Sequence, residues 1–513
     1  MPLSACLALL SFLSFSSLLR AQSLNSFPGL ELFLDDQMVS WTQNLHRQLH
    51  PVTKHPANPV VRSEQPWEKG FTTIHGSVMR DAERGVFRMW YNAYGSDYRR
   101  EQFLAYAESA DGYQWRKPMF DLVPFESSAR TNILLGGEAN IHGPALLRLP
   151  DAPADQRYLL LFDSYTDRRA DAPERKIAGR ALYVANSPDG IHFDSKQGRM
   201  ISPGKSDTGH SLIWNPERGT IQAFVRGVNE YRDENGLLQR VRYVRMTESR
   251  DGRDWSEPVE LMKTDALDGA PDVQMHQMSV TRYGPIYIGL LTLFRIDRLE
   301  FDGEHRGETG LRLEYGKTDT QLVTSRDGLR WQRVADRATF LPLGERGQWD
   351  SEWLVTASEM VLFNGKAHIY YGGAGSRYAR KTEIGVASVP LDRFLAWKPR
   401  RLNATGILEL KPFHYPERDL VVNADAGKGG EIQAEVLDFD GNVVPGYGRS
   451  QCVPIRGDAL RHALRWKSAA GPVGLPAAVN RSPFRAIRLR FYLRNAELYS
   501  LRSASNSVGI DEK

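Results

Sequence analysis

The chain has 513 residues, of which 41% are hydrophobic, and its 66 basic and 62 acidic side chains give a net charge of +4. A chain of this length is expected to form more than one domain. The near balance of charge gives no reason to expect nucleic acid or a membrane surface as a partner.

Residues 1–22 form an apolar leader rich in small residues. The run is short for a membrane span and is typical of a secretory signal peptide, so we expect a secreted or periplasmic protein without a membrane span. Cleavage would remove Cys6 and leave Cys452 as the single cysteine. The mature chain would then have no internal disulfide and would depend on packing for its stability.

A seven-residue pattern, Ser-x-Asp-Gly-x-x-aromatic, occurs four times in the first two thirds of the chain. The copies are Ser109–Trp115, Ser187–Phe193, Ser249–Trp255 and Ser325–Trp331. Asp-Gly favours a tight hairpin turn, and the Ser or Asp side chain can bond to the turn's own amides. The aromatic residue would anchor the next strand by burial. Four copies indicate an internal repeat.

The repeat belongs to five units that each contain four short strand patterns, and the fifth unit lacks the turn. This pattern predicts an all-β fold with a five-bladed β-propeller over residues 24–400. A long array of β-sandwiches and a β-helix are the alternatives, and their repeat lengths fit poorly. From residue 402 the pattern changes to longer alternating strands, which predict a β-sandwich over 402–505 followed by a polar tail at 506–513.

Propeller geometry predicts where a site would lie. The first strand of each blade starts at one face of a central channel, whereas the Ser-x-Asp-Gly turns lie on the opposite face. Polar residues that begin the first strands, or end the second strands, should therefore meet at the channel mouth. The candidates for substrate binding are His75, His142, Asp163, His210, Arg226, His276, Arg295 and Asp350. A lone histidine at a strand end is more often a hydrogen-bonding spacer, but five blades contribute here.

Carboxylates at the same mouth favour glycoside chemistry, and the candidates are Asp207, Asp272 and Glu352. In such a site one carboxyl group protonates the leaving oxygen and another acts as base or nucleophile. Arginine and histidine would hold sugar hydroxyls or an anionic substituent. The histidine spacing is not that of a metal motif, so we predict neither a catalytic metal nor a cofactor. A structural or channel calcium ion is compatible with the sequence but is not predicted.

Three features resemble the five-bladed glycoside hydrolase superfamily: Asn58–Val61, the repeated turn, and Tyr370–Gly373. The superfamily includes β-fructosidases (family 32), arabinanases and xylosidases (family 43) and mannoside phosphorylases (family 130). Residues 402–505 resemble the β-sandwich that follows the propeller in family 32. The resemblance implies a carbohydrate substrate and carboxylate catalysis. It does not carry over residue by residue, because His75 stands where family 43 has its catalytic Asp.

We therefore expect a secreted glycosidase that hydrolyses a poly- or oligosaccharide. A non-catalytic carbohydrate-binding propeller is one alternative, and it would present aromatic platforms without two carboxyl groups in working range. A glycoside phosphorylase is another, and it would need basic residues that bind phosphate beside one acid. The sugar, its linkage and the oligomeric state are not readable from the sequence.

Overall fold

The computed structural model describes residues 25–97, 101–137, 140–165, 180–194, 198–203, 206, 208–232, 238–301, 312–375, 382–401, 403–415, 418–475 and 486–504. These residues form β-sheets with short 3-10 turns and contain no α-helix, which confirms the all-β prediction. The strand pairs are antiparallel apart from the short pair Asn25–Ser26 with Phe413–His414, which is parallel. The 3-10 turns are Pro66–Glu68, Ala154–Gln156, Ala335–Arg337 and Arg449–Gln451. In this described part of the chain, no helix is long and apolar enough to cross a membrane.

Five sheets of four or five strands follow one another along the chain. Sheet 1 contains Phe71–Asp81, Val86–Tyr94, Gln102–Ser109, Trp115–Arg116 and Ile133–Leu135. Sheet 2 contains His142–Arg148, Tyr158–Tyr165, Arg180–Ser187 and Arg199–Pro203. Sheet 3 contains Ser211–Asn215, Thr220–Arg232, Leu238–Ser249 and Val259–Met262. Sheet 4 contains Val273–Tyr283, Ile286–Phe301, Arg312–Ser325, Gln332–Arg333 and Thr339–Leu341.

Sheet 5 is completed by a strand from the other end of the sequence. It contains Trp353–Thr356, Val361–Phe363, Lys366–Ala374, Thr382–Pro390 and, at its edge, Thr53–Lys54. Lys54 pairs with Ala387 and Thr53 with Ser388, in antiparallel register. A strand that precedes sheet 1 in the sequence therefore closes sheet 5.

Two six-stranded sheets combine the beginning and the end of the described chain. Sheet 6 contains Asn25–Ser26, Val39–Gln43, Gly406–Leu410, Phe413–His414, Glu431–Leu437 and Ala486–Arg494. Sheet 7 contains Leu30–Glu31, Leu45–Leu49, Leu395–Pro399, Leu420–Asp425, Asp458–Ala463 and Glu497–Ser503. One apolar cluster holds side chains of both sheets, among them Leu408, Phe491, Val422 and Leu501. Strands from residues 25–49 thus join sheets built mainly by residues after 395.

The repeated turns have one hydrogen-bond pattern. In each copy the Ser hydroxyl accepts a hydrogen bond from the Gly amide at 2.9 Å. The Asp carboxylate accepts hydrogen bonds from the two amides that follow Gly, at 2.8–2.9 Å. In the three copies that end in Trp, the indole N–H donates to the Gly carbonyl. The four glycines have φ between 71° and 81°, a left-handed conformation that favours glycine. The turn chemistry predicted from the sequence is confirmed.

Strand register also confirms the predicted polarity of the sheets. In sheet 1, Ser109 of the turn lies opposite Phe87, near the start of the strand Val86–Tyr94. Asn92, near the end of that strand, lies opposite Thr73 of the first strand. In sheet 4, Ser325 lies opposite Tyr287, whereas Arg295 lies opposite Val273, which begins the first strand. The turns and the candidate site residues therefore occupy opposite ends of the same sheets.

The first strands of the sheets, which begin at Phe71, His142, Ser211, Val273 and Trp353, are joined by hydroxyl groups. Ser77 Oγ lies 2.6 Å from Ser358 Oγ and accepts the Leu146 amide at 2.8 Å. Ser211 Oγ donates to the Ser358 carbonyl at 2.6 Å, and Ser279 Oγ lies 2.8 Å from Thr356 Oγ1. Because short hydroxyl side chains make these contacts, the first strands approach one another closely.

Candidate functional site

Four histidines occupy matching positions in sheets 1 to 4, and a tryptophan takes the fifth position. His75, His142 and His276 lie within first strands, His210 immediately precedes one, and Trp353 begins the first strand of sheet 5. We call these five residues the imidazole cluster. The sequence predicted that the four histidines meet, and it did not include Trp353.

Ring contacts connect the members of the imidazole cluster. The ring of His75 lies edge-on to those of His142 and Trp353, with centroids 5.7 Å and 6.1 Å apart. Trp353 also contacts His276, at 6.2 Å. His210 belongs to the same group because its neighbour Gly209 lies against His75: a Cβ atom at Gly209 would be 3.0 Å from His75 Cδ2. The histidines of four separate sheets are thus gathered at one end of the first strands.

Hydroxyl groups fix the orientation of three of these imidazoles. The Nδ1 atom of His142 is hydrogen-bonded to the Tyr94 hydroxyl at 2.7 Å. Thr208 Oγ1 lies 3.2 Å from His276 Nδ1, and Ser206 Oγ lies 3.4 Å from His210 Nδ1. A hydrogen bond at Nδ1 sets the direction in which Nε2 points.

Gly143 allows the approach between sheet 2 and the segment that carries His210. Its φ is +59°, and a Cβ atom at this position would lie 1.9 Å from the Thr208 carbonyl oxygen. The same Cβ would lie 3.4 Å from His210 Nε2. Any larger residue would push the His210 segment away from the other imidazoles.

Asp163 is engaged by its neighbours in the interior. It is fully buried, and it lies opposite His142 in the strand pair. Its carboxylate lies 2.9 Å from Arg180 Nε and accepts the Ser206 amide at 2.9 Å. These contacts make Asp163 an anchor for the segment that carries His210.

Buried positive charge surrounds His210. Arg226 is 4% exposed and its amide donates to Ser206 Oγ, and Arg245 Nε donates to the Arg226 carbonyl oxygen. Burial lowers the pKa of His210 well below its ordinary value, and the charges of His75, Arg226, Arg245 and Arg180 lower it further. His210 is therefore a neutral imidazole at neutral pH.

Two of the predicted catalytic carboxylates lie at the same end of sheets 4 and 5. Asp272 is exposed and immediately precedes the first strand of sheet 4, and its carbonyl oxygen accepts the Ile296 amide at 2.8 Å. Glu352 immediately precedes Trp353, and its carboxylate lies 3.1 Å from Lys317 Nζ. Cross-strand pairs Val273–Arg295 and Arg295–Lys317 connect the two positions.

The remaining predicted residues have different surroundings. Arg295 forms an ion pair with Asp319, at 3.2 Å. Asp350 is buried and contacts Lys54 Nζ at 2.6 Å and the Tyr371 hydroxyl at 2.9 Å, so it links the closing strand to sheet 5. Asp207 lies outside the described residues. No group of three or more potential ligands in the described ranges is arranged to hold a metal ion.

Glu359 is a carboxyl group that the sequence reasoning missed. The amides on either side of it bind other first strands: Ser358 N–H donates to the Gly76 carbonyl and Met360 N–H to Thr281 Oγ1. Burial raises the pKa of Glu359 to about 8, so it is mostly protonated at neutral pH. The signal in the sequence was a single charged residue within the apolar run 354–362.

No protein-family profile and no curated protein sequence matches this chain. Among solved structures, it is similar to a β-1,2-mannobiose phosphorylase from Listeria innocua, with a TM-score of 0.43 and 12% identity over 67% of this chain and 98% of the other. A glycosyl hydrolase from Bacteroides ovatus gives a TM-score of 0.43 and 15% identity over 67% and 95% of the two chains.

A fructofuranosidase from Schwanniomyces occidentalis gives a TM-score of 0.40 and 10% identity over 86% of this chain and 96% of its own. These three solved structures are two glycoside hydrolases and a glycoside phosphorylase. At these identities and TM-scores the resemblance carries no argument about activity.

Proposed function

We propose that sheets 1 to 5 are the blades of one five-bladed propeller and that sheets 6 and 7 form a β-sandwich. Five apolar clusters support the first part, because each contains side chains of two consecutive sheets and one of them contains sheets 5 and 1. The closing strand Thr53–Lys54 fits the same arrangement, since it joins the last sheet to the segment before the first. The cluster shared by sheets 6 and 7 supports the second part.

We propose that the protein is a secreted glycoside hydrolase that cleaves a poly- or oligosaccharide at the imidazole cluster. The observation that carries this proposal is that Glu352 adjoins Trp353 of that cluster, while Asp272 immediately precedes the strand that carries His276. Two carboxylates and a set of imidazoles and guanidiniums would then serve one site. An acid–base pair of carboxyl groups is the common requirement of glycoside hydrolysis.

Each group has a role in this proposal. Glu352 and Asp272 supply the acid and the base, with Asp207 as a third candidate. The imidazoles offer hydrogen bonds to sugar hydroxyls, and the hydroxyl groups on their Nδ1 atoms keep them in place. The half-buried Trp353 offers an apolar face against which a sugar ring can pack.

The test is a screen of the purified protein on neutral and anionic polysaccharides, with release of reducing ends as the readout. Each reaction is run with and without inorganic phosphate. Reducing sugar released without phosphate supports hydrolysis, whereas sugar 1-phosphate formed only in its presence would replace hydrolysis by phosphorolysis. If a polysaccharide bound but released no product, the protein would be a carbohydrate-binding protein and the proposed hydrolysis would be wrong.

Export is part of the same proposal and rests on the apolar leader at residues 1–22. A full-length chain expressed in a bacterium should be found in the periplasm or the medium without its leader. Mass spectrometry of the isolated protein measures this, and an intact leader on cytosolic protein would contradict it.

A further inference from the structure

Three arginines meet close to His210, and we call Arg180, Arg226 and Arg245 the guanidinium cluster. The side chains of Arg180 and Arg226 are at least nine-tenths buried. Arg245 is half-buried, and its Nε–H donates to the carbonyl oxygen of Arg226. The charges of all three arginines act on His210. Guanidinium groups are rarely buried together, because each loses its hydration.

Among the described residues, Asp163 supplies a carboxylate to this cluster. Asp163 lies 2.9 Å from Arg180 Nε, and its charge also reaches Arg245. The carboxylate of Asp163 accepts the Ser206 amide as well. One carboxylate is therefore shared between two guanidiniums and a backbone amide.

Two nitrogen atoms at this place have unused hydrogen-bonding capacity. Arg245 Nη2 and His210 Nε2 are both buried, and neither has a hydrogen-bond partner among the described residues. A buried guanidinium nitrogen without an acceptor is costly, and an anionic oxygen is the partner it prefers. The Arg245 nitrogen therefore indicates a ligand that carries negatively charged oxygen. His210 Nε2 can donate to the same oxygen in the tautomer whose Nδ1 accepts a hydrogen bond from the Ser206 hydroxyl.

We propose that the guanidinium cluster binds an oxyanion, the sulfate or carboxylate substituent of an acidic sugar. The inference rests on the proposed function, since it names the class of saccharide that the site would take. Planar guanidiniums hold a carboxylate or sulfate through paired N–H donors, which gives both affinity and orientation. Asp163 holds Arg180 in position through their ion pair. Free inorganic phosphate has the same chemistry and is the other source of such an oxyanion.

The experiment is calorimetric titration of the whole protein with four probes. They are a sulfated galactan tetrasaccharide, the same tetrasaccharide after desulfation, a galacturonate trimer, and inorganic phosphate. The inference expects one of the two acidic saccharides to bind about 10-fold or more tightly than the desulfated one, the size of one or two charge-assisted hydrogen bonds. Its affinity should also fall with added salt, because the contact is ionic.

Arg245→Met retains much of the apolar stem and removes the charge, so it should abolish the preference for the acidic saccharide. Arg245→Lys should keep part of that preference. Arg253→Met is the matched control, because Arg253 is an exposed arginine in the turn at the opposite end of sheet 3. If Arg245→Met does not fold, the salt dependence of the wild-type affinity still decides the matter.

The inference would be overturned if the sulfated saccharide, the desulfated saccharide and the galacturonate trimer bound with equal affinity and Arg245→Met left these affinities unchanged. The proposed hydrolysis would not be affected by that result. Tight binding of phosphate alone would also overturn it, because the oxyanion would then be a co-substrate and not a substituent. An acidic saccharide that binds selectively but is never cleaved would support the inference while contradicting the proposed hydrolysis.

Discussion

Lys54 Nζ lies 2.6 Å from the buried carboxylate of Asp350. Lys54 belongs to the strand that closes sheet 5, and Asp350 lies just before the first strand of the same sheet. The Tyr371 hydroxyl donates to the same carboxylate. The ion pair therefore connects two parts of the chain that are almost 300 residues apart.

Asp350→Ala should lower the free energy of unfolding by about 2 kcal/mol, because it leaves a partly buried ammonium and the buried Tyr371 hydroxyl group without their acceptor. Guanidinium-induced unfolding of the purified protein measures the change. Glu260→Ala is the control, since its ion pair with Lys263 is exposed and should contribute at most about 1 kcal/mol. Equal losses in the two variants would contradict the role given to Asp350.

Glu359→Gln should stabilise the protein at pH 8 and have little effect at pH 4. The native state keeps a proton on Glu359 up to about pH 8, whereas the unfolded chain releases it near 4.5. Between these values the unfolded state binds fewer protons, so the stability of the wild type falls as pH rises, by at most about 1.4 kcal/mol per unit. Above pH 8 this loss is complete, and the neutral amide of Gln has no such dependence.

The measurement for Glu359 is the free energy of unfolding from pH 4 to 9. Glu257→Gln, at an exposed position, is the matched control and should follow the wild-type curve. If the free energies of unfolding of the wild type and Glu359→Gln changed in parallel with pH, Glu359 would not be protonated in the native state at neutral pH.

Local features of the fold were predictable from the sequence, whereas pairings between distant segments were not. The Ser-x-Asp-Gly turns follow from hydrogen bonds within five residues, and their position fixed the direction of the sheets. The pairing of Val39–Gln43 with Gly406–Leu410 leaves no local trace, because each strand could pair with many others. The sequence-based boundaries therefore did not anticipate that residues 25–49 join the C-terminal sheets.

The candidate site was predictable to a similar extent. The positions of His75, His142, His210 and His276 at the starts of repeated units indicated that they would meet. The partners of individual charges could not be predicted. Asp350 is engaged by Lys54 from a segment almost 300 residues away, and Asp163 by Arg180 from the next strand of sheet 2. Glu359 was missed because burial alone sets its protonation, and burial depends on the packing of other strands.

The two ends of sheet 3 should respond differently to the loss of a hydroxyl group. Ser249→Ala removes the acceptor of the Gly252 amide in the turn and should cost about 1 kcal/mol of stability without changing kcat/KM. Ser206→Ala removes the hydroxyl that contacts His210 and the Arg226 amide, and it should lower kcat/KM. Unfolding curves and initial rates on one substrate check both. If Ser249→Ala lost activity under conditions in which it is fully folded, the turn would contribute to activity, which would contradict its purely structural role.

Asp272 and Glu352 are the carboxylates on which the proposed hydrolysis depends. The most direct measurement is kcat/KM of Asp272→Asn and Glu352→Gln on the polysaccharide that the screen identifies. Asp254→Asn serves as the control, since Asp254 is exposed in the turn at the opposite end of sheet 3. We expect both site variants to lose about 100-fold or more while remaining folded, because each removes a proton donor or acceptor. Wild-type rates in both variants would contradict the proposal.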